Sequence, residues 1–343
     1  MRFLPNDEQI AMAQAVRDAL SKECPPEVLR NANKVTQRSA VRATLASLGV
    51  FGLTVGEEHG GLGLDQRDAM GVLVETGRAA VPGPIAETFA AVHLLQSLPQ
   101  NEHSQRWLPQ LAAGGAVATV GLEDGSLVES ADEADLLILQ LGADLHLVEQ
   151  SAVRLVPNKS IDPNRHQFAV DWQPMDHSLL ASGEPALATL RDHLLLALSA
   201  QLLGLSKQIL DLTVKHVTTR EQFGRPLGVF QAVQHRLADV AVAIDFAEPV
   251  VARAACALAD GAVSASRDAA MAKVFASDAA ERSAYTGLQL HGAIGYTQEH
   301  DFHLYALRAW ALALAHGDAH RHRERVAGDL LGPAPTPRFP STD

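Results

Sequence analysis

The segment TTREQFGRPLGVFQAVQHRLADV, residues 218–240, places Arg220 and Arg225 around a Phe-Gly turn just ahead of a long helical run. A guanidinium beside the free amides of a helix's first turn makes a pyrophosphate cradle, because both aim N–H donors and positive charge at one anion. Solvated loop arginines with Phe223 as a packing anchor fit the same residues. A second segment, LQLHGAIGYTQEHDFHLYALRAW at 288–310, has Gly292 and Gly295 interrupting a helix before a new one starts near Asp301. Glycines there admit a ligand or another backbone, and they equally suit a plain helix-turn-helix joint. Near the C-terminus, AHGDAHRHRER crowds His316, His320 and His322 with Arg. Imidazole can abstract protons near neutral pH, yet a solvated helix end carries the same residues without any chemistry. Neighbouring guanidinium groups oppose a cation at the i, i+4 pair His316–His320, so no metal is expected. EEHGGLGL (57–64) lacks the Lys-Ser/Thr of a phosphate loop and reads as a structural turn.

These segments need elements to hold them. A chain of 343 residues can bury a large core and suggests two or three domains or one large helical assembly. Ala, Leu and Val dominate and aromatics are only 5%, a balance that favours helices. The net charge of -12 argues against nucleic acid or an anionic membrane as partner, while leaving room for a local basic site on one phosphorylated ligand. Cys24 and Cys256 can form neither a disulfide framework nor a cysteine-built zinc site. With no apolar signal region at the N-terminus, a cytoplasmic location is expected. No run reaches the roughly 18 uninterrupted apolar residues of a membrane span; LLLALSAQLLGL is too short.

Apolar residues recur at three and four positions through DEQIAMAQAVRDALSKE, RSAVRATLASLG, RDAMGVLVETGRAA and AETFAAVHLLQSL, and Gly- and Pro-containing breakers separate these helical runs. Between 117 and 177 the short apolar runs ADLLILQL, DLHLVEQ, AVRLVPN and HQFAVDWQP predict strands. Long helical patterns return at 186–217, 227–258, 263–291 and 301–327, as in an antiparallel bundle. The expected fold class is mainly α with a small β insert. A helical N-terminal domain is expected at 1–116, a β middle domain at 117–184, a C-terminal four-helix bundle at 185–332 and a Pro-rich tail at 333–343.

Together these segments resemble the acyl-CoA dehydrogenase family. The resemblance is carried, in order, by LGVFGLTVGEEHGGLGL (48–64), ETGRAAVPGPIAET (75–88), WLPQLAAG (107–114), REQFGRPLGVFQAVQHRLAD (220–239) and QLHGAIGY (289–296). It implies FAD between the middle and C-terminal domains, with the pyrophosphate and adenosine end held partly by a neighbouring subunit. The residues so lent match Arg220, Gln222 and Phe223, then Gln231, and Gln289 with Gly292. Arg220 would neutralise pyrophosphate charge, Phe223 would pack near the ring system and the glycines would admit the adenosine end.

The implied chemistry is α,β-desaturation of an acyl-CoA thioester: a carboxylate takes the α proton and the flavin takes a β hydride. Here the sequence departs from the family pattern. The position of the usual Tyr-Glu-Gly-Thr glutamate reads LAHGDA, which puts His316 there. The alternative position on the first bundle helix reads ATLRDHLLLAL, with Leu194 and Leu195; Asp192, two or three residues away, points elsewhere on a helix. The middle-domain loop that supplies flavin contacts reads VGLEDGSLVESADEAD, an eroded form. The resemblance extends to split members of the family from bacterial breakdown of steroid side chains, in which small subunits lacking the base pair with complete ones. It implies a subunit of a hetero-oligomer, two of each kind, whose partner brings the glutamate, acting on a bulky, steroid-derived acyl-CoA with an electron-transfer flavoprotein-type acceptor. A self-sufficient enzyme with His316 or Asp192 as base, and a non-catalytic scaffold, remain alternatives.

Overall fold

The structure, a computed structural model, describes residues 4–31, 35–98, 101–123 and 127–332; the Pro-rich tail expected at 333–343 lies outside them. Helix α1 (Asp7–Glu23) starts at a capping box, in which Asn6 accepts the Gln9 amide and the Gln9 side chain accepts the Asn6 amide. Helices α2 (Pro26–Leu29), α3 (Val35–Ser47), α4 (Gln66–Arg78), α5 (Ile85–Ser97) and α6 (Glu102–Ala112) follow. The strands come next: β1 (Ala118–Gly121), β2 (Val128–Glu129), β3 (Leu136–Leu141), β4 (Asp144–Glu149), β5 (Arg154–Asn158), β6 (Gln167–Asp171) and β7 (Leu179–Ser182).

They form a four-stranded sheet in the order β1-β3-β4-β7 and a three-stranded sheet in the order β2-β6-β5. Only the β1–β3 pair is parallel. The run LLIL of β3 is continuous because both of its faces are buried. Leu136 and Ile138 join the main core, while Leu137 and Leu139 join a smaller one with Val128, Val148 and Ala131.

The remaining chain forms α7 (Glu184–Thr219), a hairpin of β8 (Glu221–Gln222) and β9 (Arg225–Pro226), α8 (Gln231–Ala259), α9 (Ala265–His291), α10 (Phe302–Leu314) and α11 (Ala319–Leu331). The single fourth helix expected at 301–327 is two helices. His316 (φ 54°) and Gly317 (φ 100°) adopt left-handed backbone, which ends the hydrogen-bond ladder of α10 before Asp318 caps α11. By length and composition α7 could cross a membrane, but 83% of its apolar window is packed inside the protein.

Helix α7 is the axis of the fold. It crosses α4 so closely that a Cβ on Gly204 would lie 1.9 Å from the Val74 carbonyl oxygen, and one on Gly77 would lie 2.1 Å from that of Gln201. On its other side, Ala269, Ala272, Ala276, Ala280 and Ala284 give α9 a buried small-residue face that allows helices to approach. Where α5 meets α7, His93 stacks on His193 at 4.1 Å between ring centroids, and His193 is hydrogen-bonded to Gln66 and to the Thr189 carbonyl.

Gly204→Ala should therefore force α4 and α7 apart and destabilise the protein by about 3 kcal/mol or more, measured by urea unfolding. The stacked pair generates a pH dependence. Burial pushes the His193 pKa down, and burial with His193 nearby pushes that of His93 well down. Both rings stay neutral in the fold while the unfolded chain protonates them near pH ~6.5, so stability falls as pH drops below that value. The urea midpoint should decrease from about pH 7.5 to about pH 5.5, and His193→Gln should reduce that decrease; an unchanged slope would locate the proton uptake elsewhere.

Candidate functional site

A cavity of about 920 Å³ lies between the strands and the bundle. Buried ion pairs fix its wall. Arg308 of α10 pairs with Asp162 and donates to the carbonyls of Asn164 at 3.2 Å and Val81 at 3.1 Å, which joins the β5–β6 connection to α10 and to the segment before α5. Arg165 pairs with buried Glu129 and donates to the Ala311 carbonyl at 3.2 Å. Burial pushes the Glu129 carboxyl up to about 7, with Arg165 opposing and Glu87 adding to the shift.

The turn between α10 and α11 brings His316 to this cavity. Its left-handed backbone is held by Lys273 of α9, a fully buried side chain whose ammonium donates to the carbonyls of Ala313 at 2.8 Å and Gly317 at 3.1 Å. Burial, reinforced by Arg165, lowers the Lys273 pKa to about 7. His322 adds a hydrogen bond of 3.1 Å from Nε2 to the His316 carbonyl; burial, with Lys273 nearby, keeps that ring neutral down to about 4. The His316 ring faces Glu87 of α5, with Nε2 3.8 Å from Oε1. Burial alone would raise the Glu87 carboxyl, but His316 and Arg165 together hold it below its ordinary value. A carboxylate set behind an imidazole is the arrangement by which catalytic sites orient a base, although at this distance the two are not hydrogen-bonded.

Sequence reasoning missed Glu87 and Lys273. A Glu in the first turn of α5 reads as a helix-dipole complement, and a Lys in an Ala-rich helix reads as solvated. The carboxylates that line the cavity itself are engaged. Glu123 pairs with Arg321, and Glu184 with Arg191 at 2.8 Å. Glu184, Leu187 and Arg191 present one face of α7 to the cavity, whereas Leu194 and Leu195 are fully buried in the core. Asp192 accepts from Ser266 and, at 2.9 Å, from Arg325, and does not line the cavity. His316 and His320 do not converge, since His320 is exposed and faces Glu324 at 3.4 Å.

The residues expected to grip a neighbour's cofactor lie elsewhere. Phe223 and Gly224 are the two turn residues of the β8–β9 hairpin, with φ of 56° and 76°, the geometry of a type I′ turn. Left-handed backbone in a bulky residue is strained, yet the Phe223 side chain is 89% exposed, so packing in this chain does not explain it. Arg220, Gln222 and Gln231 are exposed around it, as are Gln289 in the last turn of α9 and Gly292 just after that helix. The two connections share one end of the bundle, because His216 of α7 stacks on His291 of α9 at 4.3 Å. A Cβ at Gly224 or Gly292 would meet nothing within 4 Å. Open backbone beside an exposed guanidinium fits a dinucleotide approaching from outside the chain. It cannot serve the cavity of the same chain: from Arg191 to Arg220 helix α7 runs roughly 45 Å, well beyond the span of one dinucleotide.

Comparison with known proteins gives the family. Residues 6–115 match the model of the acyl-CoA dehydrogenase N-terminal domain, and residues 191–331 match that of the acyl-CoA dehydrogenase C-terminal domain. The acyl-CoA dehydrogenase IpdE2 of Mycobacterium tuberculosis is 32% identical over 309 residues, 89% of this chain and 92% of that protein. Among solved structures, the Tcur3481-Tcur3483 steroid ACAD superposes with a TM-score of 0.85 at 26% identity, covering 94% of this chain and 97% of that one. The ChsE4-ChsE5 complex of Mycobacterium tuberculosis shares the fold, with a TM-score of 0.85 at 24% identity over 98% of this chain and all of that one. With both domain matches and the IpdE2 relative along nearly its whole length, this chain belongs to the acyl-CoA dehydrogenase family.

Proposed function

We propose that this chain is one subunit of a hetero-oligomeric, FAD-dependent acyl-CoA dehydrogenase that desaturates the α,β bond of a bulky, steroid-derived acyl-CoA. A related partner subunit supplies the carboxylate base. The observation that carries the reading is the separation of the two half-sites along α7. The exposed Arg220 end faces outward, while the cavity end has no lining carboxylate free of an arginine among the described residues. Support for a two-chain assembly and a steroid substrate comes from the Tcur3481-Tcur3483 steroid ACAD, whose name carries both.

FAD, when bound, supplies the hydride acceptor. The work of this chain is binding and orientation. Arg220 neutralises pyrophosphate charge, Gln222, Gln231 and Gln289 donate amide hydrogen bonds, Phe223 covers the cofactor and Gly292 leaves room for its adenosine end. The same reading takes 1–116, 117–184 and 185–332 as the domains, an electron-transfer flavoprotein as acceptor and the cytoplasm as the place of action.

A second reading makes His316 the base, backed by Glu87; the 3.8 Å approach of the two at the cavity wall favours it. Turnover separates the readings. Purified alone with added FAD, the chain should not desaturate an acyl-CoA, whereas co-expression with a glutamate-bearing family member should give a yellow, active complex. In that complex His316→Ala should leave turnover within about twofold, where the second reading requires loss of at least ~100-fold. Activity of the isolated chain would sink the hetero-oligomer.

The lent half-site carries its own test. Arg220→Ala should weaken flavin retention by the complex about ten- to hundredfold, the value of one charge-assisted hydrogen-bonding group. Phe223→Asn relieves the strained turn, so it should leave the melting temperature unchanged or higher while flavin retention falls. Unaltered retention in both variants would detach the hairpin from the cofactor.

A further inference from the structure

Where the two outward-facing connections meet, three imidazoles converge. His216 comes from the C-terminal end of α7, His291 is the last residue of α9 and His300 lies just before α10; their nearest ring nitrogens all fall within 4.8 Å of one another. His216 lies far from His291 and His300 in the sequence, so only the packing of α7 on α9 completes the cluster. None of the three lines the cavity or touches the His316 turn.

His291 is set up as a ligand. It is only 6% exposed, and its Nδ1–H donates to the Gly287 carbonyl at 2.8 Å, which fixes the tautomer and leaves a lone pair on Nε2. That Nε2 is buried with no hydrogen-bond partner. A buried acceptor without a donor is costly in a folded protein, and it points toward the other two rings. Burial, with His216 and His300 nearby, holds the His291 pKa down at about 4, so the ring is neutral and ligand-competent near neutral pH.

We infer that His216, His291 and His300 form a binding site for a borderline divalent transition-metal ion of the zinc class, which staples α7, α9 and the start of α10 together. Neutral imidazoles without carboxylates suit zinc, cobalt, nickel or copper and do not suit calcium or magnesium, which require oxygen ligands. Tetrahedral zinc with bonds of ~2.0–2.1 Å holds its nitrogens ~3.3 Å apart, so the rings must close by up to about 1.5 Å. The half-buried His216 ring, stacked on His291 at an interplanar angle of 24°, is held by no hydrogen bond among the described residues and can turn. His300 exchanges one contact for the metal, because its Nδ1 accepts the Phe302 amide at 3.1 Å and must carry the proton when Nε2 is bound. That amide belongs to the first turn of α10, where water replaces the lost partner. The fourth position is open to water. Arg220 is a positive charge close enough to lower the His216 pKa, after burial and the His300 ring. The bound ion would tie together the segments that present Arg220 and Gly292, and it does so whether or not a flavin is bound there.

The test uses the untagged full chain and cobalt(II) as probe. Dialysis should leave one cobalt per chain with the intense visible absorption of four-coordinate cobalt, and one equivalent of zinc should abolish it. Zinc should also raise the melting temperature. His216→Ala and His300→Ala should each weaken binding by more than the ~10–100-fold that loss of an outer-shell partner costs. His320→Ala, on the exposed face of α11, should bind as the unaltered chain does. Should His291→Ala fail to fold, the half-exposed His216→Ala decides the matter. A weak, six-coordinate cobalt spectrum, or equal binding by the His216→Ala chain, would overturn the site while leaving the flavin half-site reading intact.

Discussion

The buried guanidinium of Arg308 is the constraint on which the cavity depends. It bonds to Asp162 and Asn164 in the β5–β6 connection and to Val81 ahead of α5, and with the bond from Arg165 to the Ala311 carbonyl it ties that connection to the bundle. Burial opposes its charge, but Asp162 and Glu129 hold the pKa above its ordinary value, so the group stays ionised. Such a pair adds little net stability compared with an apolar replacement, yet losing one partner strands a charge at a cost of about 3–5 kcal/mol. Its role is registration: the strands can meet α10 in only one position. The cavity wall at Arg165 and Ala311 inherits that position.

Lys273 plays the corresponding part for the turn after α10. Its side chain donates to the Ala313 carbonyl in the last turn of α10 and to the Gly317 carbonyl in the turn that follows, which satisfies acceptors left unpaired where the helix breaks. This holds His316 in left-handed backbone, a conformation that costs a non-glycine residue on the order of 1–3 kcal/mol. Phe223 is strained in the same way at the far end of α7. Both half-sites thus contain a bulky residue in a conformation that unassisted backbone avoids, one fixed by a buried lysine and one left open to the outside.

Periodicity made the order of helices and strands legible, because long amphipathic runs and short apolar runs differ in period. The collinear motifs made the family legible. The break at His316 was not, since an Ala- and Leu-rich helix running into polar residues keeps its pattern through the break, and left-handed backbone at a histidine leaves no compositional trace. Glu87 and Lys273 were hidden for a related reason. Their significance comes from burial, and burial depends on contacts between α5, α9 and the α10–α11 turn that no local window contains. The turn at Phe223 and Gly224 was legible because a Phe-Gly pair ahead of a long helical run is a local signal, whatever the rest of the chain does.

The length of α7 explains how such a division can arise. A continuous helix of 36 residues places the cavity at one end and the hairpin at the other, joined by a buried, mainly apolar core. Substitutions at the cavity end leave the hairpin geometry untouched, because its turn is set by local backbone and its exposed side chains touch little else in the chain. The two ends can therefore change independently. A chain that keeps the hairpin and alters the cavity still presents its arginine and its open glycines outward. The requirement that remains shared is the rigid axis itself: the close crossing of Gly204 on Val74 and the small-residue face of α9 keep α7 straight and fixed, so both ends hold their positions in any assembly.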